Sequence, residues 1–142
     1  MRLGEYKEAI EKLEKAIEIK PDYMEAFLNL AISLNKLKRY DESIEKLEKV
    51  ITLKPDCPDA YLNWADCLIK LEKYKEAIEK LKKAIKLKPN FIDAYLNWGI
   101  CLIVLNKYYE AIEKLEKVIE LEPDHIDANN LLLSLKKELG II

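Results

Sequence analysis

Apolar positions in this chain recur in two helical stripes that alternate along its whole length. Tyr61, Trp64, Ala65 and Leu68 fall on one face of a 3.6-residue period. Ala77, Leu81 and Ala84 share one face of the stretch that follows. The pattern returns with a period of 34 residues, punctuated by Pro21, Pro55, Pro89 and Pro123. Aligned on those prolines, the first stretches begin at Met24, Pro58, Ile92 and, in a degenerate copy, Ile126. The second stretches begin at Gly4, Lys38, Glu72 and Asn106. Each pair predicts a helix, a turn and a second helix whose stripes meet. A unit of this size cannot bury its apolar face alone, so the units must stack on their neighbours. The division is then a partial repeat (second helix) at 1–23, repeats at 24–57, 58–91 and 92–125, and a terminal capping helix at 126–142.

The turn between units reads Pro-Asp or Pro-Asn. This makes Asp22, Asp56, Asn90 and Asp124 candidate N-caps, each answered three residues later by Glu25, Asp59, Asp93 or Asp127. Within the units, Ala31, Ala65 and Gly99 occupy one recurring place where two backbones must approach closely, which predicts that bulk at Gly99 overpacks the core. The same reading assigns Trp64 and Trp98 to packing and not to a ligand.

The residues carrying this pattern resemble those of the tetratricopeptide repeat over nearly the whole chain. That family expects an aromatic, Leu, a small residue, a large apolar residue, Ala, a large apolar residue, Ala and Pro. The unit from Met24 has Phe27, Leu30, Ala31, Leu34, Ser43, Leu47, Val50 and Pro55 at those places. The next has Tyr61, Trp64, Ala65, Leu68, Ala77, Leu81, Ala84 and Pro89, and the third Tyr95, Trp98, Gly99, Leu102, Ala111, Leu115, Val118 and Pro123. Trp64 and Trp98 stand where Leu is usual, and Ser43 replaces a small Ala. The resemblance implies an all-α superhelix, a solenoid of helix-turn-helix repeats, acting as a non-catalytic scaffold that binds a peptide or helical segment of a partner protein in its concave groove.

Helical geometry places the second, sixth, ninth and thirteenth residues of each first helix opposite the aromatic stripe. They read Glu25, Asn29, Ile32 and Lys36, then Asp59, Asn63, Asp66 and Lys70, then Asp93, Asn97, Ile100 and Val104. In the family this row lines the concave surface. Asn is less favourable than Ala inside a helix by about half a kcal/mol, yet it recurs as Asn29, Asn63 and Asn97. Its amide offers the donors and the acceptor that pairing with a bound peptide backbone requires, which is similar to the asparagine ladder of superhelical members of the family. The alternative is a solvated family residue without a partner. A carboxylate clamp, which the family builds from Lys and Arg, lacks its cations: the second places hold Glu25, Asp59 and Asp93 and the fifth hold Leu28, Leu62 and Leu96. An acidic rim repels an anionic ligand, so a partner meeting it is neutral or basic, with apolar side chains for Leu28, Leu62, Ile69, Leu96, Ile100 and Ile103.

Composition changes this picture little. Charged residues make up 35% and the formal charge is -2, which gives no hint of nucleic acid or membrane affinity. The longest uncharged run, Ala94 to Asn106, is too short to span a bilayer, and no secretory signal stands at the N-terminus. Cys57, Cys67 and Cys101, odd in number and without a close pair, point to a reducing, cytoplasmic compartment. Lys and Glu dominate and Gln is absent, a balance compatible with heat adaptation. Eight Glu-to-Lys pairs at spacing four, from Glu8–Lys12 to Glu113–Lys117, predict a solvated convex face. The lone His125 has no companion at metal-ligand spacing, no Gly-rich phosphate loop is present, and Asp66 has no base or nucleophile beside it, so neither a cofactor, a metal nor catalysis is expected.

The ends read differently. The N-terminal second helix lacks its first helix, and the helix from Ile126 lacks its second. Leu131, Leu132, Leu133 and Leu135 make that closing helix too apolar for a fully solvated cap. Either more of the array belongs there or another chain covers it, so self-association through the ends competes with groove binding.

Overall fold

The computed structural model describes residues 2–142 and contains, among them, eight α-helices and no strand. They are α1 Leu3–Ile19, α2 Met24–Lys36, α3 Tyr40–Leu53, α4 Pro58–Lys70, α5 Tyr74–Leu87, α6 Ile92–Val104, α7 Tyr108–Leu121 and α8 Ile126–Glu138. Each helix packs on the next in sequence, so the core is a ribbon running lengthwise. Ile10, Leu30 and Leu34 fill it at one end, Phe27, Ala31, Leu47 and Val50 continue it, and a larger cluster from Ala65 to Leu135 completes it. Leu47, Leu81 and Leu115, one per unit, have no exposed surface.

Two kinds of turn set the superhelix. Between the helices of one unit, Lys38, Glu72 and Asn106 adopt left-handed backbone with φ of 61°, 60° and 61°. The next residue's N–H reaches back to a carbonyl five residues earlier: Arg39 to Leu34, Lys73 to Leu68 and Lys107 to Leu102, at 2.8 to 2.9 Å. These are Schellman closures, built without the glycine that would adopt the conformation at least cost.

Between units, the helix stops at Lys20, Lys54, Lys88 or Glu122. Each leaves the helical region, with φ of -130 to -143° and ψ of 89 to 92°, as the following proline favours. The caps expected at Asp22, Asp56, Asn90 and Asp124 are not made. The N-cap residues are Tyr23, Cys57, Phe91 and His125, one position later. Cys57 and Phe91 are buried there, so the apolar side chain is used for packing in place of a cap. Only His125 caps with its side chain, Nδ1 accepting from the Ala128 N–H at 3.3 Å. Glu25, Asp59, Asp93 and Asp127 lie in the first turns, where the positive helix end favours an acid.

The expected Glu-to-Lys pairs at spacing four are not closed either. The observed pairs are mostly three apart, such as Glu79–Lys82 at 3.2 Å and Lys117–Glu120 at 3.0 Å. Several of the expected lysines are taken elsewhere: Lys117 by Glu120, while Lys80 Nζ lies 3.8 Å from the centre of the Trp64 ring and Lys114 Nζ 4.2 Å from that of Trp98. An ammonium over an indole face outweighs a solvated ion pair. Trp64 and Trp98 thus pack half-buried against the core beneath a lysine.

Candidate functional site

The curvature follows from which helices meet out of sequence order. α2 touches α4 and α4 touches α6, whereas no contact of similar extent links α3 to α5 or α5 to α7. First helices are therefore crowded together on the inner side of the curve, and the second helices spread on the outer side.

The inner row divides by burial. Glu25, Asp59 and Asp93 are exposed at its helix-start edge, and Lys36, Lys70 and Val104 at its other edge. Asn29 is exposed, while Asn63 and Asn97 are half-buried. Asn63 Nδ2 donates to the Asp59 carbonyl of its own helix at 2.8 Å, and no side-chain hydrogen bond engages Asn29 or Asn97 among the described residues. Ile32, Asp66 and Ile100 are half-buried at the ninth place. Leu28, Leu62, Leu96, Ile69 and Ile103 are half-buried as well, with much of each side chain packed on the core, so they offer edges and not whole side chains to the groove.

Asn35, on α2, belongs to this surface too, and the helical-row reading passed over it. Its Nδ2 donates to Asp66 Oδ2 at 3.0 Å and approaches Cys67 Sγ at 3.2 Å, bridging α2 to α4. Cys67 Sγ stands 3.4 Å from Ser43 Oγ, and Ser43 Oγ donates to the Ala31 carbonyl at 2.7 Å. The buried hydroxyl that departs from the family's Ala is thereby satisfied. A signal was present in the sequence: Asn35 and Asp66 are both polar at places where the next pair of units has Ile69 and Ile100.

Burial pushes the thiols of Cys67 and Cys101 up, the latter to about 11, and all three cysteines are unpaired and buried. Among the described residues no group of three or more His, Cys, Asp or Glu side chains converges to hold a metal, and no helix is long and apolar enough to cross a membrane.

At the C-terminal end, Leu132 and Leu135 are buried against α7, Leu131 is half-buried, and only Leu133 is largely exposed, at 48%. Leu133 occupies the small place of Ala31, Ala65 and Gly99. Gly140, with φ of 71°, closes α8 through the Ile141 N–H to the Lys136 carbonyl. Ile142 then lines a depression with Glu116, Ile119, Asn129, Leu133 and Lys136. At the other end, Ala9, Leu13 and Ala16 of α1 are partly exposed, whereas their counterparts Ala77, Leu81 and Ala84 have no exposed surface.

An all-helical superhelix with a solvated inner row defines a repeat scaffold. The family models agree with it: one described as "Anaphase-promoting complex, cyclosome, subunit 3" matches residues 47–118, "TPR repeat" matches 1–37 and "Tetratricopeptide repeat" matches 25–57. The chain belongs to the tetratricopeptide-repeat family, whose repeats are typically non-catalytic modules for protein–protein interaction.

Among solved structures the chain is similar to the crystal structure of MamA, at 26% identity and a TM-score of 0.89, over 96% of this chain and 80% of that one. It is also similar to the first TPR of Spaghetti (RPAP3) bound to the HSP90 peptide SRMEEVD, at 27% identity and a TM-score of 0.79, over 82% of this chain and 93% of that one. YrrB, a TPR protein with an unusual peptide-binding site, shares the fold at 24% identity and a TM-score of 0.78, over 96% of this chain and 71% of that one. No curated protein matches the chain.

Proposed function

We propose that the inner row holds an extended segment of a partner protein, with Asn29, Asn63 and Asn97 pairing to its backbone and no chemistry performed on it. The observation that carries this reading is the repeated amide: it stands at one place in three successive first helices, and at Asn29 and Asn97 no side-chain hydrogen bond among the described residues uses it. That RPAP3 holds an HSP90 peptide and YrrB has a peptide-binding site supports the mode of binding. An acidic peptide such as SRMEEVD is a poor candidate here, because Glu25, Asp59 and Asp93 present negative charge along the row. The buried unpaired cysteines favour a reducing, cytoplasmic compartment.

Peptide display on the purified protein tests this, with the triple variant Asn29→Ala, Asn63→Ala, Asn97→Ala as control and circular dichroism to match the folds. Each backbone hydrogen bond contributes about 1 kcal/mol, so enriched peptides should bind the triple variant at least about tenfold more weakly. Equal binding to both would remove the amides from the account.

A second reading has its own observation. The partly exposed face of α1, at Ala9, Leu13 and Ala16, is buried in every other second helix, which favours association through that end. Light scattering across a concentration series, with Leu13→Glu beside the wild type, tests it: a mass that rises for the wild type alone supports assembly.

A further inference from the structure

Across the three first helices the inner row is not uniform, and its pattern specifies a ligand. At the ninth place α2 presents Ile32, α4 presents Asp66 and α6 presents Ile100, all half-buried. The carboxylate in the middle is held in position: Asn35 Nδ2 donates to its Oδ2 at 3.0 Å from the neighbouring helix. Its charge remains unpaired. Lys70 follows one turn later on α4, yet its side chain is exposed, and among the described residues no cation lies within ion-pair distance of Asp66. Val104, 47% exposed, extends the apolar surface beside Ile100.

A half-buried carboxylate flanked by aliphatic side chains attracts a cation more strongly than one in open water, because less solvent screens it. Packed helices lie roughly 8 to 10 Å apart, and an extended segment of polyproline II type advances about 3.1 Å per residue with about three residues per turn, so its side chains three apart face the same way and meet neighbouring first helices. On the groove reading above, we infer that the ligand is an extended segment carrying Lys or Arg, with an aliphatic residue three positions to each side, the basic group meeting Asp66 and the aliphatic groups meeting Ile32 and Ile100.

The experiment is display of a fully randomised peptide library on the wild type, on Asp66→Asn and on Asp66→Ile, followed by titration of the enriched synthetic peptides at low and high salt against these proteins and the triple variant Asn29→Ala, Asn63→Ala, Asn97→Ala. Asp66→Asn keeps an acceptor for Asn35 and removes only the charge, so it stays informative should Asp66→Ile fail to fold. The wild type should enrich the basic residue with its two aliphatic flanks, prefer it about tenfold over the Glu-substituted peptide, and lose most of that preference in high salt. Asp66→Asn should erase the preference, and Asp66→Ile should enrich an aliphatic residue in its place. Peptides that depend on the three asparagines but show no basic preference, or whose preference survives Asp66→Asn, would overturn this inference and leave the groove reading standing. Peptides indifferent to the asparagines, or no enrichment at all, would overturn both.

Discussion

Gly99 on α6 faces Leu115 on α7 so closely that a Cβ on the glycine would stand 3.0 Å from Leu115 Cδ2 and 3.1 Å from Cγ. Ala31 and Ala65 fill the same place in the other two units and are fully buried there, so a methyl group fits if the leucine end shifts by a few tenths of an ångström. Glycine inside a helix costs roughly 1 kcal/mol relative to alanine. Gly99→Ala is therefore expected to leave stability unchanged or raise it by up to about 1 kcal/mol, and Gly99→Leu to lower it by about 1 to 3 kcal/mol through overpacking. Urea unfolding followed by circular dichroism measures both.

Asn35 and Asp66 bond across the same junction where the next units have Ile69 and Ile100. Removing one partner leaves the other half-buried and unsatisfied, which costs about 1 to 3 kcal/mol, whereas replacing both with apolar groups can be neutral. Asn35→Ile and Asp66→Ile should each destabilise. The double variant should recover to near wild type, with a coupling of at least about 1 kcal/mol in the double-mutant cycle. Additive losses would show that the bond does not fix this junction.

The left-handed turns give a prediction of the opposite sign. Glu72 and Lys38 hold φ near 60° with a side chain that disfavours it, while Asn106 accepts that conformation more readily. Glu72→Gly and Lys38→Gly should each raise stability by about 0.5 to 1 kcal/mol, and Asn106→Gly by less. Thermal melts of the three variants suffice to rank them.

What the sequence conveyed and what it concealed divide along physical lines. Positions fixed by packing were legible, since Leu47, Leu81, Leu115 and the small Ala31, Ala65 and Gly99 recur at the family's places and all are buried. The caps were not, because a Pro-Asp turn signals both a cap and a bend, and burial of Cys57 and Phe91 decided between them. The left-handed turns at Lys38 and Glu72 were hidden because Lys and Glu do not announce the conformation that glycine would have. Within the inner row, the identity of the residues followed from helical geometry, but the Asn35–Asp66 bond did not, since it joins two units at places outside one row.

Lys80 over Trp64 supplies a spectroscopic handle on the outer packing. The ammonium lies 3.8 Å from the ring centre, and burial holds its pKa below the ordinary lysine value. Lys80→Ala removes both the cation and the methylene cover, so it should cost about 0.5 to 2 kcal/mol and shift tryptophan emission to longer wavelength. Lys80→Met, which keeps much of the cover, should leave the emission closer to wild type while still losing the electrostatic part. Emission that moves equally in both variants would assign the effect to charge alone.

Alkaline unfolding should be governed in part by Cys101. Its thiol has no exposed surface, and burial raises its pKa from 9.0 to about 11, so the folded state favours the neutral thiol. Its contribution to stability is therefore fully present below pH 9, where the thiol is neutral folded or unfolded. It is lost as the pH rises through 11, because the unfolded chain ionises first. The loss is on the order of 2 kcal/mol when complete. The measurement is the difference between wild type and Cys101→Ala, in which contributions common to both proteins cancel. The variant carries a cavity cost that does not change with pH, so its stability gap to the wild type should shrink by about pH 10.5, where the wild type has lost most of the thiol's share. A gap between the two urea midpoints that stays constant from pH 7 to pH 10.5 would mean that Cys101 meets solvent more readily than its burial implies.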